Sequence, residues 1–283
     1  MNKIKKAWLD FFEFDANEDN WWQQKKKLWE NRNASIVRIN GEGEVYREMR
    51  LENEIYYEYL LYLSFLIKQK DVFFLEEQVI PYGFRFVDGK MVDHKMMANS
   101  RQEETIPMEN EDQRTADASD ETRFTYDRRR AVQYAESWWN SYNPAYRTFE
   151  VDCTNYVSQC MHAGGAPMRG GPNREEGWWY TDTNWSFSWA VAHSLRWYLA
   201  GSEAGLMARE VEQPEELGPG DVICYDFEGD GRWDHNTIVV ANDMYGAPLV
   251  NAHTTNSRQR FWSYTDSSAW TPNIQYKFFR IDG

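Results

Sequence analysis

The chain has 283 residues, a formal net charge of −14, 42% hydrophobic residues and 16% aromatic residues. That length fits two domains of roughly 100–200 residues each, and the apolar content excludes disorder along the whole chain. The acidic balance argues against a nucleic-acid partner or an anionic membrane surface, both of which need basic patches.

Residues 1–32 read as helical, with Trp8, Phe11, Phe12, Trp21, Trp22 and Leu28 recurring among charges. The start is basic, but Asp10, Glu13 and Asp15 break its apolar run, so no signal peptide is expected. From Ser35 to Met97 the chain is rich in Val, Ile, Tyr and Phe, with turn-like breaks at Gly41, 68–71, 81–83 and 87–90. Asp88–Gly89 between two apolar runs is a hairpin signal. This half is expected to pack helices on a small antiparallel sheet. Its densest apolar run, "YYEYLLYLSFLI" at 56–67, is interrupted by Glu58 and falls short of the roughly 18 residues a membrane span needs. A cytoplasmic location is therefore the expectation.

Residues 99–123 lose nearly all large apolar side chains and cannot offset their ordering entropy by burial. They are expected to be an acidic linker between an N-terminal domain, 1–98, and a C-terminal domain, 124–283. "FTYDRRRAVQYAESWWNSYN" resumes as a helix, with Arg128, Arg129 and Arg130 read as a solvated face. A second helix starts near Cys153, a Gly-rich loop follows at 164–177, and a third helix spans about 186–200. Strands are expected from Asp221, over "HNTIVVAND" and "PLVNAHTT", and over "IQYKFFRID". Helices followed by an antiparallel meander make an α+β layout.

Three cysteines form no closed disulfide set. Cys160 and Cys224 read as packing residues in a helix and a strand. Cys153 differs, because Asp152 reads as an N-cap and would set the thiol in the first helical turn. Unpaired N–H groups there lower a thiol pKa and can hold an oxyanion. The base must come from five histidines. His94 lies in the other domain, and His162 and His193 fall inside predicted helices. His235 begins a strand and His253 ends the next. A hairpin turning about Met244–Tyr245 would set 235 opposite 253 or its neighbour, with Asn251 on the face of His253. The expected site is Cys153 as nucleophile, His235 as its base, and His253 or Asn251 orienting the imidazole. Asn155 and Gln159 are candidate oxyanion donors beside Asp152.

Asp226, Glu228, Asp230 and Gly231 open like a calcium loop, but Thr237 stands where the twelfth-position Glu belongs, so an acidic turn and no metal is expected. Trp178, Trp179, Trp185 and Trp189 either line a substrate groove or pack the helix layer.

"NSYNPAYRTFEVDCTNYVSQCMHAGGAPM", "GWWYTDTNWSFSWAVAHSLRWYL", "GPGDVICYDFEGDGRWDHNTIVVA" and "NAHTTN" occur in order over about residues 125–281. Together they resemble the bacterial putative amidase domain family, itself similar to the NlpC-type and CHAP-type cysteine amidases. The resemblance implies a papain-like fold and hydrolysis of an amide bond through a thioester, without a cofactor. It implies a peptide or peptidoglycan-type substrate. "DC" carries over as Asp152–Cys153 and "DH" as Asp234–His235, with His253 as the third residue on the NlpC-type pattern. The longer span between the two histidines keeps Asn251 as the alternative. The N-terminal half resembles the region that often precedes this domain in Gram-positive spore formers. That likeness implies a small α+β module, cystatin-like or NTF2-like, able to bind a protein.

Overall fold

Two helices open the chain: α1 (Asn2–Phe14) and α2 (Trp21–Asn31). Asn20 caps α2 by accepting from the Gln23 N–H at 3.0 Å. Trp22, Lys25, Leu28 and Trp29 recur at helical spacing and are buried together. Then come β1 (Ala34–Leu51), β2 (Glu54–Gln69), β3 (Val72–Val87) and β4 (Lys90–Met96), an antiparallel meander. β2 buries Tyr59, Leu61, Leu63, Phe65 and Ile67, every second residue. Period-two burial is the mark of a one-faced strand, and Trp22 stacks on Phe65 with centroids 6.1 Å apart. The sheet is larger than expected, with strands of 18, 16 and 16 residues. No helix among the described residues is long and apolar enough to cross a membrane. The hairpin at 87–90 forms, Val87 pairing with Lys90 and Asp88 at φ 50°.

The computed structural model describes residues 2–14, 20–51, 54–88, 90–97 and 124–283; the expected acidic linker, 99–123, lies outside them. The chain divides into two units, Met1–Asn99 with Ser263–Trp270, and Ser100–Trp262 with Thr271–Gly283. The segment 263–270 departs from the two contiguous domains expected. It brings Asp266 to Lys25, whose ammonium sits 2.6 Å from Asp266 Oδ2 and also pairs with Glu76. Trp29 Nε1 donates to Glu76 Oε2 at 3.1 Å, and Gln78 Nε2 donates to Glu76 Oε1 at 2.9 Å. Buried carboxylates need this many donors, because burial strips them of water.

The second unit carries α3 (Arg128–Trp138), α4 (Cys153–Ala163), α5 (Phe187–Ala190) and α6 (Ala192–Gly201). The helix expected at about 186–200 is broken at Val191, which is extended at φ −120° and ψ 127°. Six strands follow: β5 (Ala208–Val211), β6 (Val222–Asp226), β7 (His235–Asn242), β8 (Pro248–Ala252), β9 (Ser257–Phe261) and β10 (Gln275–Ile281). Their order is β9-β8-β7-β6-β10-β5, with antiparallel pairing throughout. The unit is thus α+β. Tyr156, Val157 and Cys160 of α4 share a core with Val222, Cys224, Ile238 and Val240 of the central strands. Arg128 is not a solvated charge: it bonds Pro219 O at 3.0 Å, Asp221 Oδ1 at 2.6 Å and Ile281 O at 2.8 Å.

The Gly-rich loop turns on Gly177, at φ +71°, where Arg169 and Trp178 exchange two backbone hydrogen bonds of 2.9 Å. A Cβ at 177 would stand 2.1 Å from Arg169 O, which is backbone and cannot swing aside. Gly177→Ala is therefore expected to destabilise the unit by at least about 2 kcal/mol, read as a lower urea midpoint with unchanged slope.

Candidate active site

Cys153 is the first residue of α4 and is 1% exposed. Asp152 precedes it but does not cap the helix with its side chain. Its Oδ1 instead accepts from the Phe149 N–H at 3.0 Å and from Asn155 Nδ2 at 2.9 Å. Its Oδ2 lies 2.7 Å from His253 Nδ1, and its own N–H donates to Thr254 Oγ1 at 3.2 Å. Asp152 thus ties the start of α4 to the residues just past β8, a different task from the cap expected.

The thiol lies 3.7 Å from Thr154 Oγ1. Burial pushes the Cys153 thiol above its ordinary value. The hydrogen bonds from Asn236 and Thr154 oppose that rise, while the Asp152 charge adds to it. The lowering expected of a helix-start cysteine is outweighed by desolvation. Asn236 was not foreseen as a donor, since nothing in the spacing marks it beyond its place after His235.

His235 pairs across β6 and β7 with Tyr225, and its ring lies 5.6 Å from the Tyr225 ring and 6.1 Å from that of Phe227. The next residue, Asn236, donates from Nδ2 to Thr154 Oγ1 at 3.0 Å and so points toward α4. Successive strand side chains alternate between faces, so His235 points from the face of the sheet away from α4. No described hydrogen bond joins His235 to Cys153. His253 Nδ1 meets Asp152 and Nε2 meets Trp138 O at 2.7 Å, and the ring stacks 4.0 Å from Tyr156. Both of its nitrogens thus face acceptors. Asn251 donates to Glu136 Oε1 at 2.9 Å and accepts from the Gln259 N–H at 2.8 Å. Ile238 pairs with Asn251, a register that sets 236 against 253 when extended. The structure therefore gathers Cys153, Asp152, Asn155 and His253. It does not bring either candidate third residue to His235.

Of the candidate oxyanion donors, Asn155 is committed: Nδ2 serves Arg147 O and Asp152, and Oδ1 accepts from Trp189 Nε1 at 2.8 Å. Gln159 accepts from Tyr134 Oη at 2.6 Å and borders a narrow cleft with Tyr142, Arg147, Asp152 and His253. Trp178, Trp179 and Trp185 are buried and do not line that cleft. Trp178 Nε1 donates to Ser158 Oγ at 3.0 Å, Trp179 Nε1 to Glu176 O at 3.0 Å, and Trp185 lies between the guanidinium groups of Arg147 and Arg174. They pack the helix layer. Asp226 accepts from the N–H groups of Gly229, Asp230 and Gly231, as an acidic turn does. Asp226, Glu228 and Asp234 place one oxygen each within 4.8 Å of the others, but the backbone already occupies Asp226.

A helix-start cysteine packed on an antiparallel sheet defines a domain class, and the chain belongs to the family described as "Putative amidase domain", matched over residues 125–279. It is similar to "Uncharacterized protein YhbB" of Bacillus subtilis (strain 168), 45% identical over 270 residues, or 92% of this chain and 85% of that protein. It also resembles "Uncharacterized protein YjcM" of the same organism, 30% identical over 134 residues, or 44% of this chain and 30% of that one. No solved structure matches.

Proposed function

We propose that the second unit is a papain-like cysteine amidase that hydrolyses an amide bond in a peptide or peptidoglycan-type substrate. The observation that carries this reading is the place of Cys153. It opens α4, buried next to Thr154, which accepts from Asn236 of β7, inside the span of the amidase family. In this reading Cys153 Sγ attacks the carbonyl carbon, and backbone N–H groups at the start of α4 hold the oxyanion. The C–N bond breaks as His235 gives the amine the proton it took from the thiol, and water then releases the acid from the thioester. His235 is assigned as base by the family resemblance alone; it stands on the face of β7 away from α4, so this step requires its ring to turn to the side of the thiol. His253 acts through Asp152, holding the loop that delivers Cys153, so it is a positioning residue in this scheme.

An activated acyl peptide offered to the full chain tests the assignment by intact-protein mass. The expected result is an acyl adduct on Cys153, absent in Cys153→Ala and formed more slowly in His235→Ala. An adduct that survives Cys153→Ala overturns it. Release to an added amine in preference to water would make the protein an acyl transferase with the same site.

A second reading, a binding module without turnover, draws on the buried thiol and on the place of His235 on the sheet face away from α4. Iodoacetamide separates the two. Fast alkylation below pH 7 that slows in His235→Ala favours the amidase. Alkylation confined to pH above the ordinary thiol value of 9.0 in both proteins favours the binding module.

A further inference from the structure

Arg196 lies on α6, is 8% exposed, and has no hydrogen-bond partner at Nε or Nη1. Its guanidinium carbon is 3.8 Å from the Trp197 ring centroid and 5.3 Å from that of Trp233. Trp233 is a core side chain, while Trp197 faces solvent and donates from Nε1 to His193 Nε2 at 3.1 Å. The cation is thus held between a fixed wall and an exposed one. Aromatic faces stabilise it, but they satisfy none of its N–H groups.

A buried guanidinium without an acceptor is costly, and native proteins supply a carboxylate. Among the described residues none pairs with Arg196. Burial pushes Arg196 down from its ordinary value, and Glu210 is the acidic charge that opposes this. Glu210 is itself paired with Lys277. Such a group is suited to an anion from outside the chain. Its place favours the substrate. Trp233 stands two residues before His235 and shares a core with Cys224. Cys224 pairs with Asn236, whose Nδ2 donates to Thr154, the residue after Cys153.

We propose that Arg196, framed by Trp197 and Trp233, binds the free carboxylate of a peptide substrate. This names the substrate class of the amidase site and rests on that reading for the word substrate. A planar monoanion matches the donor fork of one guanidinium. A phosphate dianion would call for further cations, and the charges that act on this corner include Glu210, Asp226 and Asp230.

The test is thermal unfolding of the full chain with N-acetylalanine, its methylamide, or inorganic phosphate, in wild type, Arg196→Met and Arg196→Lys. N-acetylalanine is expected to raise the wild-type Tm in a saturable way, and the methylamide to leave it unmoved. Arg196→Met should lose that shift and melt above the unliganded wild type, because a buried unpaired charge is gone. Arg196→Lys keeps the charge without the fork and should weaken binding at least about tenfold, which decides the matter if the Met variant does not fold. Equal shifts from acid and methylamide, equal shifts from phosphate, a shift retained in Arg196→Met, or unchanged affinity in Arg196→Lys would each overturn the proposal. Carboxylate binding without an acyl adduct on Cys153 keeps this site and rejects the amidase. An adduct with no carboxylate preference does the reverse.

Discussion

Asp152→Ala is expected to destabilise the second unit by about 3–5 kcal/mol. The carboxylate is buried and serves three groups at once: the Phe149 N–H, Asn155 Nδ2 and His253 Nδ1. Alanine removes this acceptor from the Phe149 N–H and from His253 Nδ1, while Asn155 Nδ2 keeps Arg147 O. The loss at His253 is the most serious. Its other nitrogen faces the carbonyl of Trp138. Removing Asp152 leaves Nδ1 of this buried ring without its partner. Asp152→Asn, which keeps shape and one acceptor, should lose less. Urea unfolding followed by tryptophan fluorescence gives the numbers. A double variant with His253→Phe separates the pair from its surroundings, since a phenyl ring can keep the stack on Tyr156. The double variant should lose less than the two single losses combined, by at least about 1 kcal/mol. Strict additivity would show that the two side chains act independently.

Lys25→Met should destabilise the first unit to a similar degree, about 3–5 kcal/mol. Methionine keeps most of the aliphatic stem that lies near Phe65, so packing changes little. What changes is charge. Glu76 and Asp266 are both buried and would lose the ammonium between them. Trp29 and Gln78 still donate to Glu76, but neutral donors do not balance two carboxylates. Neutralising one acid in the same background, as Lys25→Met with Glu76→Gln, should restore part of the loss. Chemical denaturation of the two variants checks this, and a double variant weaker than Lys25→Met alone would contradict the charge argument.

Local patterns were legible where they depend on neighbours in the chain. The turn at 87–90 is a short-range signal, and the structure realises it. The helix at Cys153 is equally local, set between Asp152 and two glycines. What stayed hidden are partners far apart in sequence. Lys25 reads as one more surface lysine until Asp266 arrives beside it. Arg128 reads as solvated until Asp221 and Ile281 O reach it. The short strands β5 and β9 have pairing partners but no distinct periodicity of their own. At the site, residue types were legible but facing was not. One step of alternation separates Asn236, which meets α4, from His235, which does not, and that step depends on strand register. The downstream tryptophans illustrate the same limit, because a large aromatic suits a core as well as a groove.

The excursion of residues 263–270 into the first unit has a practical bearing on how this protein can be divided. A cut anywhere in 99–123 severs the backbone once, yet the amino-terminal fragment leaves behind the stretch that holds Asp266. Lys25 would then keep Glu76 as its acidic neighbour and face a gap where the second carboxylate stood. The complementary fragment would carry an eight-residue loop whose buried side chains have lost their setting. Expressing either half alone therefore yields an incomplete molecule, and biochemical work on one unit is best done by point substitution within the whole.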